Sequence, residues 1–320
     1  MQRRDFLREA AAATAGAALF ASLGKASAAS PAANPPASAH GASELTVTTL
    51  GGRLFLIRGG GGNVTLFDSP EGALLVDGGS PESSKDVLRL VREHTGRSRV
   101  DVLFNTHWHW DQTGSNRTLG PAGTRILSHE NTRLWLGTVV NEKWQQRLYQ
   151  PLPKPARPNR TFYTTGSLEF GGETIEYGLM PQAHTDGDIY VHFRKADVLV
   201  AGDVVSVGAY PIIDYCTDGW IGGTANATQT LLKLSGSATR IIPGMGPVQS
   251  RADLEREHSM LAAAKLRLSQ LLAQGLSAKE MLAEGATKEF DAEWGDPTLF
   301  VTNAYPGLVE HAYELGVHIV

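Results

Sequence analysis

Two histidines and an aspartate on alternate positions, His107, His109 and Asp111, follow directly on the apolar segment Val100-Asp101-Val102-Leu103-Phe104. That segment has the length and β-branched content of a buried strand, and the run after it leads through Gly114 toward a short helix-like stretch. Loops beyond strand ends are where α/β proteins place their chemistry. Imidazoles set two apart at such an end can converge on one ion; a neighbouring carboxylate can take a second ion, orient a bound water or accept its proton. A histidine pair is weak evidence alone. Two further strand ends strengthen it: His184 in Ala183-His184-Thr185-Asp186, and Asp203 after Val198-Leu199-Val200-Ala201-Gly202.

Taken in order, HxHxD, a distant His-Thr, a Gly-Asp and the turn Pro243-Gly244-Met245-Gly246 resemble the motif series of the metallo-β-lactamase superfamily. The likeness extends over roughly residues 44–320 and includes Leu75-Val76-Asp77-Gly78-Gly79. It implies an α/β fold of the αββα sandwich type, with metal at one edge of the sheets. It also implies that His107, His109 and His184 form a first metal site, that Asp111 belongs to a second, and that Asp203 lies between them. Asp77 is then a brace for the metal loop. The stretch Phe290-Asp291-Ala292-Glu293-Trp294-Gly295 resembles a bacterial branch of uncharacterised hydrolases in the same superfamily.

Two positions depart from the family pattern, and both concern the second ion. Gln112 stands where many members have a histidine, and Met245 replaces the histidine of the Pro-Gly-His-Gly turn. A thioether is a poor ligand for zinc and prefers softer ions. The expectation is therefore one Zn2+ per chain, with two as an alternative, held by three neutral imidazoles with an open position for water or Asp203. Such an ion lowers the pKa of its water to about 7 and provides a hydroxide nucleophile. Asp111 and Asp203 are then the catalytic carboxylates. The expected reaction is hydrolysis of an ester, lactone, thioester or amide of a small molecule.

Two other readings stay open. His107, His184 and Asp203 match the two-histidine, one-carboxylate set of non-haem Fe(II) oxygenases. The superfamily this chain resembles includes persulfide dioxygenases with such an iron site, so the first reading that the resemblance implies is a persulfide-dioxygenase-like oxidoreductase using Fe2+. The second is a non-catalytic metal- or ligand-binding protein with a degenerate second site. β-Lactam hydrolysis is disfavoured, since Asp203 is followed by Val204-Val205-Ser206 and not by a lysine that would hold a substrate carboxylate.

The N-terminal Gln2-Arg3-Arg4-Asp5-Phe6-Leu7-Arg8 resembles a twin-arginine export signal, with an alanine-rich run and Ala26-Ser27-Ala28 as a cleavage pattern. Residues 1–29 are read as that signal peptide, 30–43 as a disordered linker with His40 solvated, and 44–320 as the catalytic domain with a C-terminal helical extension. The expected location is periplasmic or secreted, with the translocation machinery as a partner during export. The apolar run is shorter than the roughly 20 residues a spanning helix needs. A net charge of −4 with no basic stripe argues against a nucleic-acid partner and for a small-molecule substrate.

Strands are expected at 45–50, 54–57, 63–67 and 73–76, followed by a helix capped at Ser80-Pro81 with Val87, Leu88, Leu90 and Val91 on its apolar face. A second set of strands is expected from Ser167 to Val200, then a helix near Thr224 to Leu234. The proline-rich segment from Trp135 to Phe162 reads as irregular and is a candidate cover for the site. Trp108 or Trp110 is expected beneath the metal loop, and the lone Cys216 as a buried apolar filler. Beyond Arg251, Leu254, Met260, Leu261, Leu266 and Leu268 suggest helices that cover a sheet or form a partner surface.

Overall fold

A computed structural model describes residues 45–317; the proposed signal peptide and linker, and His40 with them, lie outside the described residues. The chain begins with β1 (Thr46–Gly51), β2 (Leu54–Gly60), β3 (Gly62–Asp68) and β4 (Ala73–Val76), an antiparallel meander. Parallel strands β5 (Val102–Phe104) and β6 (Arg125–His129) extend it. After a two-stranded hairpin, β7 (Val140–Glu142) and β8 (Arg147–Tyr149), the strand β9 (Arg160–Phe162) closes a seven-stranded sheet in the order β1 to β6, then β9. A second sheet runs in sequence order: β10 (Thr165–Phe170), β11 (Glu173–Leu179), β12 (Ile189–Phe193), β13 (Val198–Gly202) and β14 (Arg240–Pro243).

Period-two alternation explains how the sheets stack, because successive side chains of a strand point to opposite faces. Leu74 and Val76 of β4 share one core with Val198 and Val200 of β13, together with Phe104, Phe193 and Ile175. The alternate residues, Ala73 and Leu75, pack outward on Val87 and Val91 of helix α1 (Ser84–Thr95). Likewise Leu199 and Ala201 of β13 face Ala227 and Leu231 of a helix at Ile221–Leu234. Each sheet thus has one face on the other sheet and one on helices: the αββα sandwich.

Between α1 and that second covering helix lie three short ones: α2 (Trp110–Thr113), α3 (Asn116–Leu119) and α4 (Glu130–Trp135). Ile221–Leu234 is α5, and α6 (Arg251–Ala273), α7 (Ala278–Ala283), α8 (Asp291–Trp294) and α9 (Thr298–Glu310) complete the chain. These C-terminal helices have a core of their own, in which Met260, Leu261 and Leu268 meet Trp220, Trp294 and Phe300. Among the described residues, no helix is long and apolar enough to cross a membrane.

Three expectations need correction. Helix α1 starts at Ser84 with Ser83 as its cap position, because Ser80 and Pro81 belong to the turn that receives α2. Leu266 is exposed at 60% while Met260, Leu261 and Leu268 of α6 are buried, so it stands on the solvent face. The segment from Trp135 to Phe162 is more regular than its prolines suggest: it contains the β7–β8 hairpin, and Phe162 ends a strand of the main sheet. Three-residue strands are too short to show alternation.

Candidate metal centre

The metal loop is fixed before any ion is considered. Asp77 follows β4 with φ of 61°, a left-handed conformation that aspartate tolerates. Its carboxylate accepts from the Thr106 amide at 2.8 Å and from the Thr106 hydroxyl at 2.8 Å, tying the end of β4 to the end of β5. Burial pushes the Asp77 pKa well above the ordinary range, and the two bonds from Thr106 oppose that shift. His107 comes next and is fully buried. Asp203 reaches the same point from β13 because positions 202 and 244 carry no side chain: a Cβ on Gly244 would collide with the Asp203 carboxylate, and one on Gly202 would press on Thr106.

Hydrogen-bond partners assign the three imidazole tautomers. His184 Nδ1 lies 2.7 Å from the Ile212 carbonyl, which only accepts, so Nδ1 carries the proton and Nε2 is a bare lone pair. His109 Nε2 lies 3.1 Å from Asp214 Oδ2, which leaves Nδ1 bare. His107 Nδ1 lies 3.1 Å from the Thr106 hydroxyl, whose own proton goes to Asp77, so His107 Nε2 is the free nitrogen. That nitrogen is buried with no hydrogen-bond partner.

The three free nitrogens converge. His109 Nδ1 and His184 Nε2 are 3.0 Å apart, and Asp203 Oδ2 lies 3.4 Å from His107 Nε2 and 3.8 Å from His184 Nε2. One ligand atom from each of His107, His109, His184 and Asp203 falls within 4.8 Å of all the others. Two imidazole lone pairs facing each other repel unless a cation lies between them. A tetrahedral ion with ligands about 2.0–2.1 Å away spaces them about 3.4 Å apart, close to what is found. The residues therefore fit a single divalent transition ion. Burial lowers the pKa of His184, as does the neighbouring His109, which favours the neutral form that a ligand requires. Burial raises the Asp203 pKa, but positive charge at the His107 and His184 positions outweighs it and holds the carboxyl well below the usual range.

Asp111, Gln112 and Met245 stand differently. Asp111 is outside the four-residue cluster but close to it: burial and the Asp203 charge raise its pKa, while His109 and His107 oppose the rise. Gln112 is fully buried and donates through Nε2 to Asp203 Oδ1 at 3.3 Å and to the Gly244 carbonyl at 3.1 Å. Gly62 makes room for it, since a Cβ there would strike the amide. Met245 is 42% exposed on its turn, which Asn63 secures by donating to the Pro243 and Gly246 carbonyls.

Asp214 and Glu142 carry no motif and were not singled out from the sequence. Asp214 is fully buried between His109 and Thr217, whose hydroxyl donates to it at 2.5 Å. Burial alone would raise its pKa; the bonds from His109 and Thr217 bring it below the usual range, so it stays ionised and orients His109. Glu142, also fully buried, sits beside it, and burial together with the Asp214 charge pushes its pKa up to about 8. Glu142 and Asp214 form a second group of ligand atoms with His109, on the side of the ring away from His184. The Asp214 partner His109 lies 105 residues away in sequence, so no local pattern marks the pairing. Cys216 is only half-buried, and burial pushes its thiol up to about 11, so at neutral pH it is a thiol and not a thiolate.

The β7–β8 hairpin forms a wall of the site. Trp108 is buried beneath the loop, with its ring 4.5 Å from His109 and 5.3 Å from Tyr149, and its Nε1 donates to Thr217 at 3.0 Å. Trp144 approaches His109 from the hairpin turn at 6.4 Å. Trp135 Nε1 donates to Asp186, two residues after His184, at 2.7 Å.

Known proteins show the same arrangement of chain. The chain is 22% identical over 190 residues to the metallo-beta-lactamase type 2 of Bacillus cereus, an alignment covering 59% of this chain and 68% of that protein. It is 26% identical to the 2,4-dinitroanisole O-demethylase subunit alpha of Nocardioides sp. (strain JS1661), covering 56% of this chain and 53% of the subunit. Among solved structures, the metallo-beta-lactamase from Pontibacter korlensis superposes with a TM-score of 0.55 at 20% identity, covering 68% of this chain and 99% of that one. The stereoselective inverting sec-alkylsulfatase Pisa1 from Pseudomonas sp. superposes at 0.67 and 16% identity, covering 82% of this chain and 50% of that one. At such identities these structures share the fold alone. The family model of the metallo-beta-lactamase superfamily matches residues 57–246, from β2 through the glycine turn after β14, and with the motifs of the metal loop inside that span the chain belongs to this superfamily.

Proposed function

We propose that the protein is a metal-dependent hydrolase, with one zinc ion per chain, that cleaves an ester, lactone, thioester or amide bond in a small molecule. The observation that carries this reading is the convergence of three imidazole lone pairs with the Asp203 carboxylate, each imidazole fixed in its tautomer by a separate hydrogen-bond partner. When bound, such an ion supplies a Lewis acid and a hydroxide nucleophile derived from water at neutral pH. The protein's part is positioning and proton handling. Gln112 holds Asp203 Oδ1 through its amide, leaving Oδ2 for the cluster. Asp111, next to the cluster, is placed to accept the proton released as the tetrahedral adduct forms and to return it to the leaving group.

Zinc is favoured over iron because the third imidazole does not stand idle. His109 aims its free nitrogen at the point that His107, His184 and Asp203 already share, whereas a two-histidine, one-carboxylate site has no use for it. We further infer export by the twin-arginine route, resting on Gln2-Arg3-Arg4-Asp5-Phe6-Leu7-Arg8. Replacing Arg3 and Arg4 with lysines should leave the protein in the cytoplasm on cell fractionation.

Elemental analysis of protein purified without chelator, followed by assays on a panel of esters, lactones, thioesters and amides, tests the reading. About one zinc per chain, with hydrolysis abolished in His184→Ala, is the expected result. Iron instead of zinc would replace hydrolysis with oxygen chemistry, and no metal after zinc is supplied would leave a binding protein.

A further inference from the structure

The β7–β8 hairpin brings one unpaired cation to the metal loop. The Arg147 guanidinium carbon lies 4.9 Å from the Trp110 ring centroid and 4.7 Å from that of Tyr149. Trp110 is the residue between His109 and Asp111, so one of the two rings that hold Arg147 belongs to the metal loop itself. The other belongs to the wall: Tyr149 packs edge-on against Trp108, which packs against His109. The Tyr149 hydroxyl is engaged with Gln145 of the hairpin turn. Burial raises the Tyr149 pKa and the Asp111 charge adds to the rise, which sets this ring near the carboxylate beside the metal cluster.

Arg147 is exposed, and among the described residues it forms no ion pair with a carboxylate. Nearby Arg133, by contrast, is paired with Glu130. Arg147 also hydrogen-bonds the Tyr149 hydroxyl, which uses part of its donor set; a guanidinium has five N–H donors, and those that remain can still meet a carboxylate. Stacking also removes much of the side-chain freedom that binding would otherwise cost. Of the other side chains beside the cluster, Asp203 and Asp214 are ionised carboxylates, and Asp111 and Glu142 are acids with raised pKa values, so none of the four offers an anion a positive charge.

We propose that Arg147, clamped by Trp110 and Tyr149 at the rim of the metal loop, is a specificity residue that binds a carboxylate carried by the substrate away from the bond that is cleaved. The substrate is then an anionic small molecule: an ester, lactone, thioester or amide with a free carboxyl group. The choice of scissile bond rests on the hydrolase reading; the carboxylate contact does not, and the two fail separately.

The test compares para-nitrophenyl hydrogen adipate with its neutral methyl ester on the zinc-loaded protein, and follows binding of monomethyl and dimethyl adipate by tryptophan fluorescence. The wild type should favour the anionic ester in kcat/KM. Arg147→Gln should lower the anionic-to-neutral ratio about tenfold, Arg147→Glu should lower it further, and Arg147→Lys should retain part of it, all at wild-type zinc content. A ratio in Arg147→Gln within about twofold of the wild type would overturn the proposal. If neither ester is hydrolysed, no ratio can be formed and fluorescence decides: monomethyl adipate binding that is lost in Arg147→Gln upholds the carboxylate site, and equal binding in both proteins removes it.

Discussion

Asp214 shows how much a single side chain outside the ligand set can contribute. Its ionised carboxylate accepts a hydrogen bond from His109 Nε2–H, and this fixes which ring nitrogen faces the ion. Asp214→Asn keeps the shape and loses the charge, so we expect metal affinity about 10–100-fold weaker in a chelator competition, with the circular dichroism spectrum unchanged. Undiminished affinity would mean that packing by Trp108 alone orients the ring. Glu257 is a buried acid with a different consequence. It accepts from the Ser206 amide at 2.9 Å, and burial pushes its pKa from 4.5 up to about 8. The unfolded carboxyl ionises near its ordinary value while the folded one keeps its proton until about pH 8, so this group lowers stability progressively as pH rises across that window. Glu257→Gln preserves the acceptor and removes the ionisation. Its stability advantage should therefore be near zero at pH 4.5 and grow to a few kcal/mol by pH 8, read from denaturant melts at several pH values.

Helix α2 spans only four residues, and its place depends on close backbone approach rather than on length. The Gly114 amide donates to the Gly79 carbonyl at 2.8 Å, and a Cβ on Gly114 would run into the backbone of Ser80 and Pro81. Backbone cannot move aside as a flexible side chain can. Gly114→Ala should cost about 3 kcal/mol and loosen the metal loop, seen as a lower melting temperature and a faster loss of zinc to chelator. The hairpin strands β7 and β8 are the opposite case. They make few hydrogen bonds of their own and are held by Trp108 and Tyr149 ring packing and by Trp144 against His109, so their geometry follows the metal loop.

The sandwich as a whole depends on the layer between its sheets. Phe193 is fully buried there and meets Phe67 of the opposite sheet edge-on at 5.8 Å. Phe193→Ala should destabilise the domain by about 3–5 kcal/mol in chemical denaturation, with cavity formation added to the lost transfer energy. A cost below about 1 kcal/mol would mean that the sheets close over the gap. Much of this architecture was legible in the chain. Short apolar runs such as Ala73–Val76 and Val198–Gly202 read as buried strands because both their faces are covered, and His107, His109, His184 and Asp203 stood out because each follows such a run or a strand pattern. Glycines and prolines marked the turns between them. The hairpin at 140–149 was hidden, since strands of three residues have no period to detect and the prolines that follow it, Pro151 to Pro158, argued for a loop. By itself, then, the sequence determined the elements, their order and the metal-binding residue types, all of which depend on local pattern. Only the tertiary structure decided which nitrogen of each histidine is free, that Asp214 and Glu142 back the site, and that Arg147 stands at its rim. Those are relations between residues tens to more than a hundred positions apart, and no periodicity encodes them.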